Sequence, residues 1–385
     1  MIDFSLTAEQ KAMVELARKF GKDHIRPVAL DYDRDGTYPE EILKKAHEAG
    51  LMYTNIPKEY GGSGMSYLEH YLVTEALNYE CCAIAQVIGI SHLSMGAIQL
   101  GGSPDQQRNF IGEMTKSYRS GCFCLTEPHA GSDAGLMNTT ATKKGDGYVV
   151  NGSKCYITNG QYADLLCLFA TVDKSKGTKG ISCFAVPRST PGITVGRIED
   201  KMGHRAMNVA ELFFDNVELG RENLIGGEGQ GFKLAMMALD RGRANITAVS
   251  TGISQRAFDE AVAYARERVQ FGQPIGNFQA VQFMLADMNT LVMASRALYL
   301  QLGWMLDNNI RCSKEAASAK YFASDAAMKV TTDAVQVLAG SGYMKGAVVE
   351  KLMRDAKLTQ IFEGTNQINR MVAGRALMTD SSRLF

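Results

Sequence analysis

Residues 353–370, MRDAKLTQIFEGTNQINR, set one carboxylate, Glu363, between the apolar pair Ile361 and Phe362 and a turn made by Gly364 and Thr365. Apolar neighbours strip water from a carboxylate, which raises its pKa and makes it a better proton acceptor near neutral pH. Gly364 has no Cβ and lets the backbone come close to another molecule. The chemistry on offer is general-base catalysis. The same letters also describe a solvated loop carboxylate, and context has to choose between them.

Two further stretches carry groups suited to holding a ligand. Residues 124–135, CLTEPHAGSDAG, bring the hydroxyls of Thr126 and Ser132 together with Gly131 and Gly135, and Pro128 fixes the turn. Such a loop can aim successive N–H groups at a phosphate or a polar ring edge, or simply connect two strands. Residues 154–164, KCYITNGQYAD, put the aromatic Tyr156 beside the hydroxyl of Thr158. Asp240 and Arg243 in LDRGRA have the i,i+3 spacing of a helix ion pair, worth ~0.2–0.5 kcal/mol on an exposed face.

Composition narrows the field. The 41 basic and 41 acidic residues balance with no long run of one sign, so no nucleic-acid face is expected. The eight cysteines have no metal-ligand spacing and read as reduced core thiols, and no metal site is expected. The glycine clusters GGEGQG and GSGYMKG miss the spacing of a dinucleotide fingerprint, and no βαβ alternation surrounds them. The first ten residues, MIDFSLTAEQ, lack the pattern of a secretory signal, and no apolar run has the length of a membrane span. A soluble protein follows as the expectation, cytoplasmic in a bacterium or mitochondrial after loss of a transit peptide.

The elements that must position these residues fall into three textures. Thr7 with Gln10 predicts a capped helix carrying Met13, Leu16, Ala17 and Phe20, and Thr37 with Glu40 repeats the signal. Helical patterns resume after the YGGSGMS turn. From Gly121 to about Leu224 short apolar or alternating runs predict packed antiparallel strands, barrel-like, with Asp146-Gly147 and Asn151-Gly152 at turns. Beyond residue 231 the pattern is helical again. A stripe runs from Val281 through Met288 to Leu302, and Ser313 is placed to cap the next helix. The fold class is α+β, mainly α: an N-terminal helical domain (1–118), a middle antiparallel β-barrel-like domain (119–228) and a C-terminal four-helix bundle (229–385).

LTEPHAGSD, YITNG, LDRGRA, RVQFGQPIGNFQAVQ and DAVQVLAGSGY leading into MRDAKLTQIFEGTNQI occur in that order. The combination resembles the acyl-CoA dehydrogenase family over essentially the whole chain, as its short- and medium-chain branch. The resemblance implies FAD, with Phe123, Leu125, Thr126, Gly131 and Ser132 at its polar edge and Tyr156, Ile157 and Thr158 along the ring. Many relatives have Trp where Tyr156 stands. Arg268, Gln279, Gln336 and Gly340 match positions reaching a neighbouring subunit's FAD, and Phe271, Thr365 and Gln367 match further cofactor contacts, so a homo-oligomer, commonly a tetramer, is implied. Asp240 and Arg243 match positions that hold the pantetheine of the acyl-CoA substrate, beside Ser132, Glu363 and Gly364.

The implied reaction is α,β-dehydrogenation to a 2-enoyl-CoA. Glu363 takes the α-proton while the β-hydrogen passes to the flavin, and electrons go on to electron-transferring flavoprotein. Some members carry the base at the position of Gly242, which leaves Glu363 as the family candidate here. The acyl group is expected near residues 87–96 and 236–239, with Ser91 and His92 as polar members. Alternatives on the same fold are an acyl-CoA oxidase, whose usual C-terminal extension this sequence lacks, and an enoyl-CoA reductase. A helical scaffold without chemistry is a third.

Overall fold

The computed structural model of the chain describes residues 5–379. Thr7 accepts from Gln10 N and Gln10 closes the box on Thr7 N, starting α1 (Ala8–Phe20), which buries Ala17 and Phe20 and leaves Leu16 exposed. α2 (Ala29–Asp35) and α3 (Glu40–Glu48) follow. Thr37 does not cap α3: the N-cap is Pro39, whose ring offers no acceptor, and no side chain replaces it. Ser66 and Glu69 form a second capping box at the start of α4 (Tyr67–Glu80), followed by α5 (Cys82–Gly89) and α6 (Ser91–Gly101). The stretch Cys82–Gly101 is apolar and long enough to cross a membrane, but it breaks at Ile90 and is mostly buried in this domain. α7 (Pro104–Gln106) and α8 (Gly112–Thr115) flank a π-helical turn, Gln107–Ile111.

The strands are β1 (Gly121–Cys124), β2 (Thr140–Lys144), β3 (Gly147–Thr158), β4 (Leu165–Thr171), β5 (Ile181–Pro187), β6 (Ile193–Ile198), β7 (Val209–Leu219) and β8 (Leu224–Ile225). They form one sheet in the order β6-β7-β3-β2-β4-β5-β8, with β1 on β4, and the path stays open from β6 to β8. Two pairings, β1 with β4 and β2 with β4, are parallel, where only antiparallel ones were expected. The cause is connection length: a loop and the β2–β3 hairpin separate β1 from β4, and a long excursion can return the chain in its original direction. Asn151-Gly152 is not a turn either. It lies inside β3 at a register shift against β7, where Gly152 has φ 150° and a Cβ would stand 2.7 Å from Thr139 Cα. β4 is buried on both faces: Leu166, Leu168 and Ala170 join the core between the strands, while Leu165, Cys167 and Phe169 join the core shared with the N-terminal helices.

The C-terminal part is built on α9 (Gly231–Glu267), a short hairpin of β9 (Val269–Gln270) and β10 (Gln273–Pro274), then α10 (Gln279–Asp307) and α11 (Ser313–Leu338). α12 (Gly340–Tyr343), α13 (Val348–Thr359) and α14 (Asn366–Thr379) complete it. α9 is the axle, packed against α10, α11, α4 and α6. Cys312, not Ser313, is the N-cap of α11. The Ser313 hydroxyl reaches across to Asp240 Oδ2 at 2.5 Å instead.

Candidate active site

The segment between α13 and α14 is anchored before it begins. Asp355 in α13 pairs with Lys351 at 2.5 Å and accepts from the backbone N of His204, and the His204 ring meets Phe362 edge-on. The middle domain thus docks onto α13 just ahead of Glu363. Glu363 and Gly364 then both take left-handed backbone conformations, φ 56° and 86°, and the chain doubles back into α14. A glutamate in that region costs about 1–2 kcal/mol, which the surroundings must offset. Three side chains do so. Lys320 Nζ and Asn369 Nδ2 donate to Gly364 O at 2.8 and 2.7 Å, and Arg243 Nε approaches Glu363 O at 3.4 Å.

The carboxylate itself rests on α9 at Gly242. A Cβ built there would collide with Glu363 Oε2 and stand 2.7 Å from Cδ, so any side chain at this position would push the carboxylate out of its seat. Oε2 is buried and has no protein partner, and the backbone N–H of Glu363 meets no acceptor among the described residues. Glu363 lines a narrow cavity between α4, α6 and α9 that includes Tyr71, His92, Ala238 and Gly242. Burial pushes the Glu363 carboxyl up to about 7, against the opposing pull of Arg243 and Lys320. Lys320 in turn is brought down to about 7 by burial, opposed by Glu363. A carboxyl raised in this way can gain and lose a proton near neutral pH.

The loop after β1 is fixed by a pair that the sequence reading did not single out. Lys154 on β3, wholly buried, donates to Leu125 O at 3.1 Å and to Glu127 Oε1 at 2.8 Å. Glu127 also accepts from the backbone N of Asn138 and Thr139, so one carboxylate ties both ends of the loop to the sheet. Leu125 and Ile157 are buried, Phe123, Thr126 and Thr158 half-buried, and Gly131 and Ser132 exposed. Tyr156 is 65% exposed at φ 55°, and a Cβ at Gly131 would meet no protein atom within 4 Å. An open loop face beside a displayed aromatic ring and a hydroxyl fits a flat, polar-edged cofactor such as FAD.

The remaining residues separate. Arg243 is enclosed, 4% exposed, and its guanidinium is spent inside the protein on Asp240 at 2.7 Å and on the Glu363 turn; Asp240 also accepts from Ser313. Thr365 Oγ1 accepts from Ile368 N at the start of α14. Ser91 lies outside the cavity, its hydroxyl accepting from Gly121 N. Arg268, Phe271, Gln279, Gln336 and Gly340 lie exposed on the bundle, with Gln367 exposed on α14. Lys320, Asn366 and Asn369 are buried site residues without a local motif; the only signal was a lysine and two asparagines on otherwise core-facing positions.

A near-neutral buried carboxylate, combined with an open loop on the sheet beside an exposed aromatic ring, fits a flavin-dependent oxidoreductase. Family models match in three consecutive blocks: the acyl-CoA dehydrogenase N-terminal domain over residues 7–117, the middle domain over 122–217 and the C-terminal domain over 229–378. The chain belongs to the acyl-CoA dehydrogenase family, FAD-dependent oxidoreductases acting on CH–CH bonds. It is similar to a cyclohex-1-ene-1-carbonyl-CoA dehydrogenase of Geobacter metallireducens (46% identity; 97% of this chain, 99% of the other). It is also similar to an acyl-CoA dehydrogenase of Bacillus subtilis (42%; 97% and 99%). The solved butyryl-CoA dehydrogenase of Megasphaera elsdenii superposes with a TM-score of 0.96 at 40% identity, covering 98% of this chain and 100% of that one.

Proposed function

We propose that the protein converts an acyl-CoA thioester to its trans-2-enoyl-CoA, with Glu363 as the base for the α-proton. The observation that carries this reading is the buried, unpartnered Oε2 of Glu363 seated against Gly242 at the cavity wall. FAD supplies the acceptor for the two electrons and the β-hydrogen. The chain's own part is to position and to polarise. The free N–H of Glu363 donates to the thioester carbonyl as negative charge builds there, a contact of a kind typically worth about 10²–10³ in rate. Lys320, Asn369 and Arg243 hold the turn so that base and donor arrive together, and the narrow cavity keeps bulk water from the α-carbon.

Electrons then pass to electron-transferring flavoprotein, and the working form is a homotetramer in which Arg268, Phe271, Gln279, Gln336 and Gly340 meet a neighbour's cofactor. Exposed Phe271, Phe283 and Tyr343 support an assembly. Asp240, at the edge of the base site, is the better placed of the acidic–basic pair to touch pantetheine. Glu363→Gln should keep FAD and lose bleaching of the flavin by acyl-CoA by about 10²–10⁴ in rate. Bleaching at the wild-type rate would refute the assignment. Mixing the reduced enzyme with air tests the acceptor: reoxidation fast enough for turnover would point to an oxidase.

A further inference from the structure

The cavity beside Glu363 is lined by the polar side chains of Asn55, His70, Gln86, His92 and Asn245 together with the rings of Tyr67 and Tyr71 and the apolar Ile90, Leu93 and Ala238. Ligand pockets are mostly apolar with a few placed polar groups, so what each polar member of this lining bonds to decides what the cavity can hold. Most of these polar side chains are paired with each other or their neighbours. His70 Nδ1 lies 2.7 Å from Thr54 Oγ1, Asn245 Oδ1 accepts from Thr74 at 3.0 Å, and Gln86 donates to Asn78 at 3.2 Å.

Two atoms are left over. His92 Nδ1 and Asn55 Oδ1 are both buried and have no protein hydrogen-bond partner. The other nitrogen of His92 lies 3.3 Å from Thr54 Oγ1, and the ring also bonds the carbonyl of Met52. With the ring proton on Nε2, where Thr54 lies, Nδ1 is left as a lone pair. Both orphans are acceptors, and burying each against an alkyl chain would cost about 1–3 kcal/mol. A hydroxyl on the substrate would satisfy one of them or share its single proton between the two. Arg241, the cation on the cavity wall, stacks over the Tyr67 ring, and no cation stands among the inner residues.

Resting on the base assignment to Glu363, we infer that the acyl group carries a hydroxyl beyond C3 whose single proton is shared between His92 Nδ1 and Asn55 Oδ1, and that these two residues select hydroxylated acyl-CoA over plain chains of the same length. The wild-type holoenzyme is assayed for kcat/KM with butyryl-CoA, 4-hydroxybutyryl-CoA, cyclohexanecarbonyl-CoA, its 4-hydroxy derivative and glutaryl-CoA. The hydroxylated member of each pair should be preferred at least about tenfold. His92→Leu and Asn55→Leu, with FAD content checked, should each shrink that preference towards unity.

A wild-type preference for the plain chains overturns the inference and leaves the base assignment standing, because those substrates still bleach the flavin. A preference for glutaryl-CoA also overturns it and hands the distal group to Arg241. A hydroxyl preference that neither leucine variant alters removes His92 and Asn55 as its source and overturns the assignment of the donor. Bleaching by none of the five overturns the base assignment and this inference with it.

Discussion

Burial brings the Glu363 carboxyl up to about 7 and Lys320 down to about 7, and Lys320 holds the Gly364 carbonyl right after the carboxylate's own residue. The base must be deprotonated to act, and bleaching by acyl-CoA should rise with pH and level off above about 7. Lys320→Met removes a charge that pulls the Glu363 pKa down, so the inflection should move upward and the rate at pH 7 should fall; an unmoved inflection would remove Lys320 from the machinery. Stability has the opposite sign. A carboxyl raised from 4.5 to about 7 on folding stabilises the fold only while protonated, and its contribution disappears as pH climbs through that window. Glu363→Gln should therefore unfold at higher denaturant than wild type at pH 8, by about 2 kcal/mol, and show no such gain below pH 4.5.

Among the elements, the loop after β1 depends on a single buried cation. Lys154→Met would strand Glu127 without its partner, at a cost of about 3–5 kcal/mol. The expected outcome is a lower Tm and reduced FAD content, partly recovered in a Glu127→Gln/Lys154→Met double variant; full FAD content in the single variant would contradict the clamp. Much at this scale was legible in the sequence. Short apolar runs bounded by turn residues reveal strands, and β1 to β7 lie where those runs are. What was illegible depends on tertiary partners. Asn151-Gly152 has hairpin letters but serves a bulge, because β3 runs on to pair with β7. Ser313 has cap letters but its hydroxyl is drawn to Asp240 on α9. At the site, Glu363 announced itself by its apolar neighbours, whereas Lys320 sits mid-helix, where a lysine ordinarily signals a solvated face.

For the molecule as a whole, the apolar surface is unevenly spent. Phe271 is 93% exposed, Tyr343 75% and Phe283 60%, all in the C-terminal part and close in sequence to positions the family resemblance assigns to a neighbour's cofactor. Phe271→Asp combined with Phe283→Asp should lower the oligomeric state measured by light scattering and release FAD on dilution. An unchanged mass would exclude this face from the assembly.

The missing side chain at Gly242 has a reach beyond packing. The room that a Cβ would need is occupied by a carboxylate arriving from a different part of the chain. The fold thus encodes an address for negative charge and leaves open which segment delivers it. Delivery should be transferable: Gly242→Glu combined with Glu363→Gly vacates the volume from one side, fills it from the other and removes a strained residue at φ 56°. Such a variant should bleach with acyl-CoA about tenfold or more faster than Glu363→Gly alone, so that the two positions behave as alternative tenants of one catalytic point.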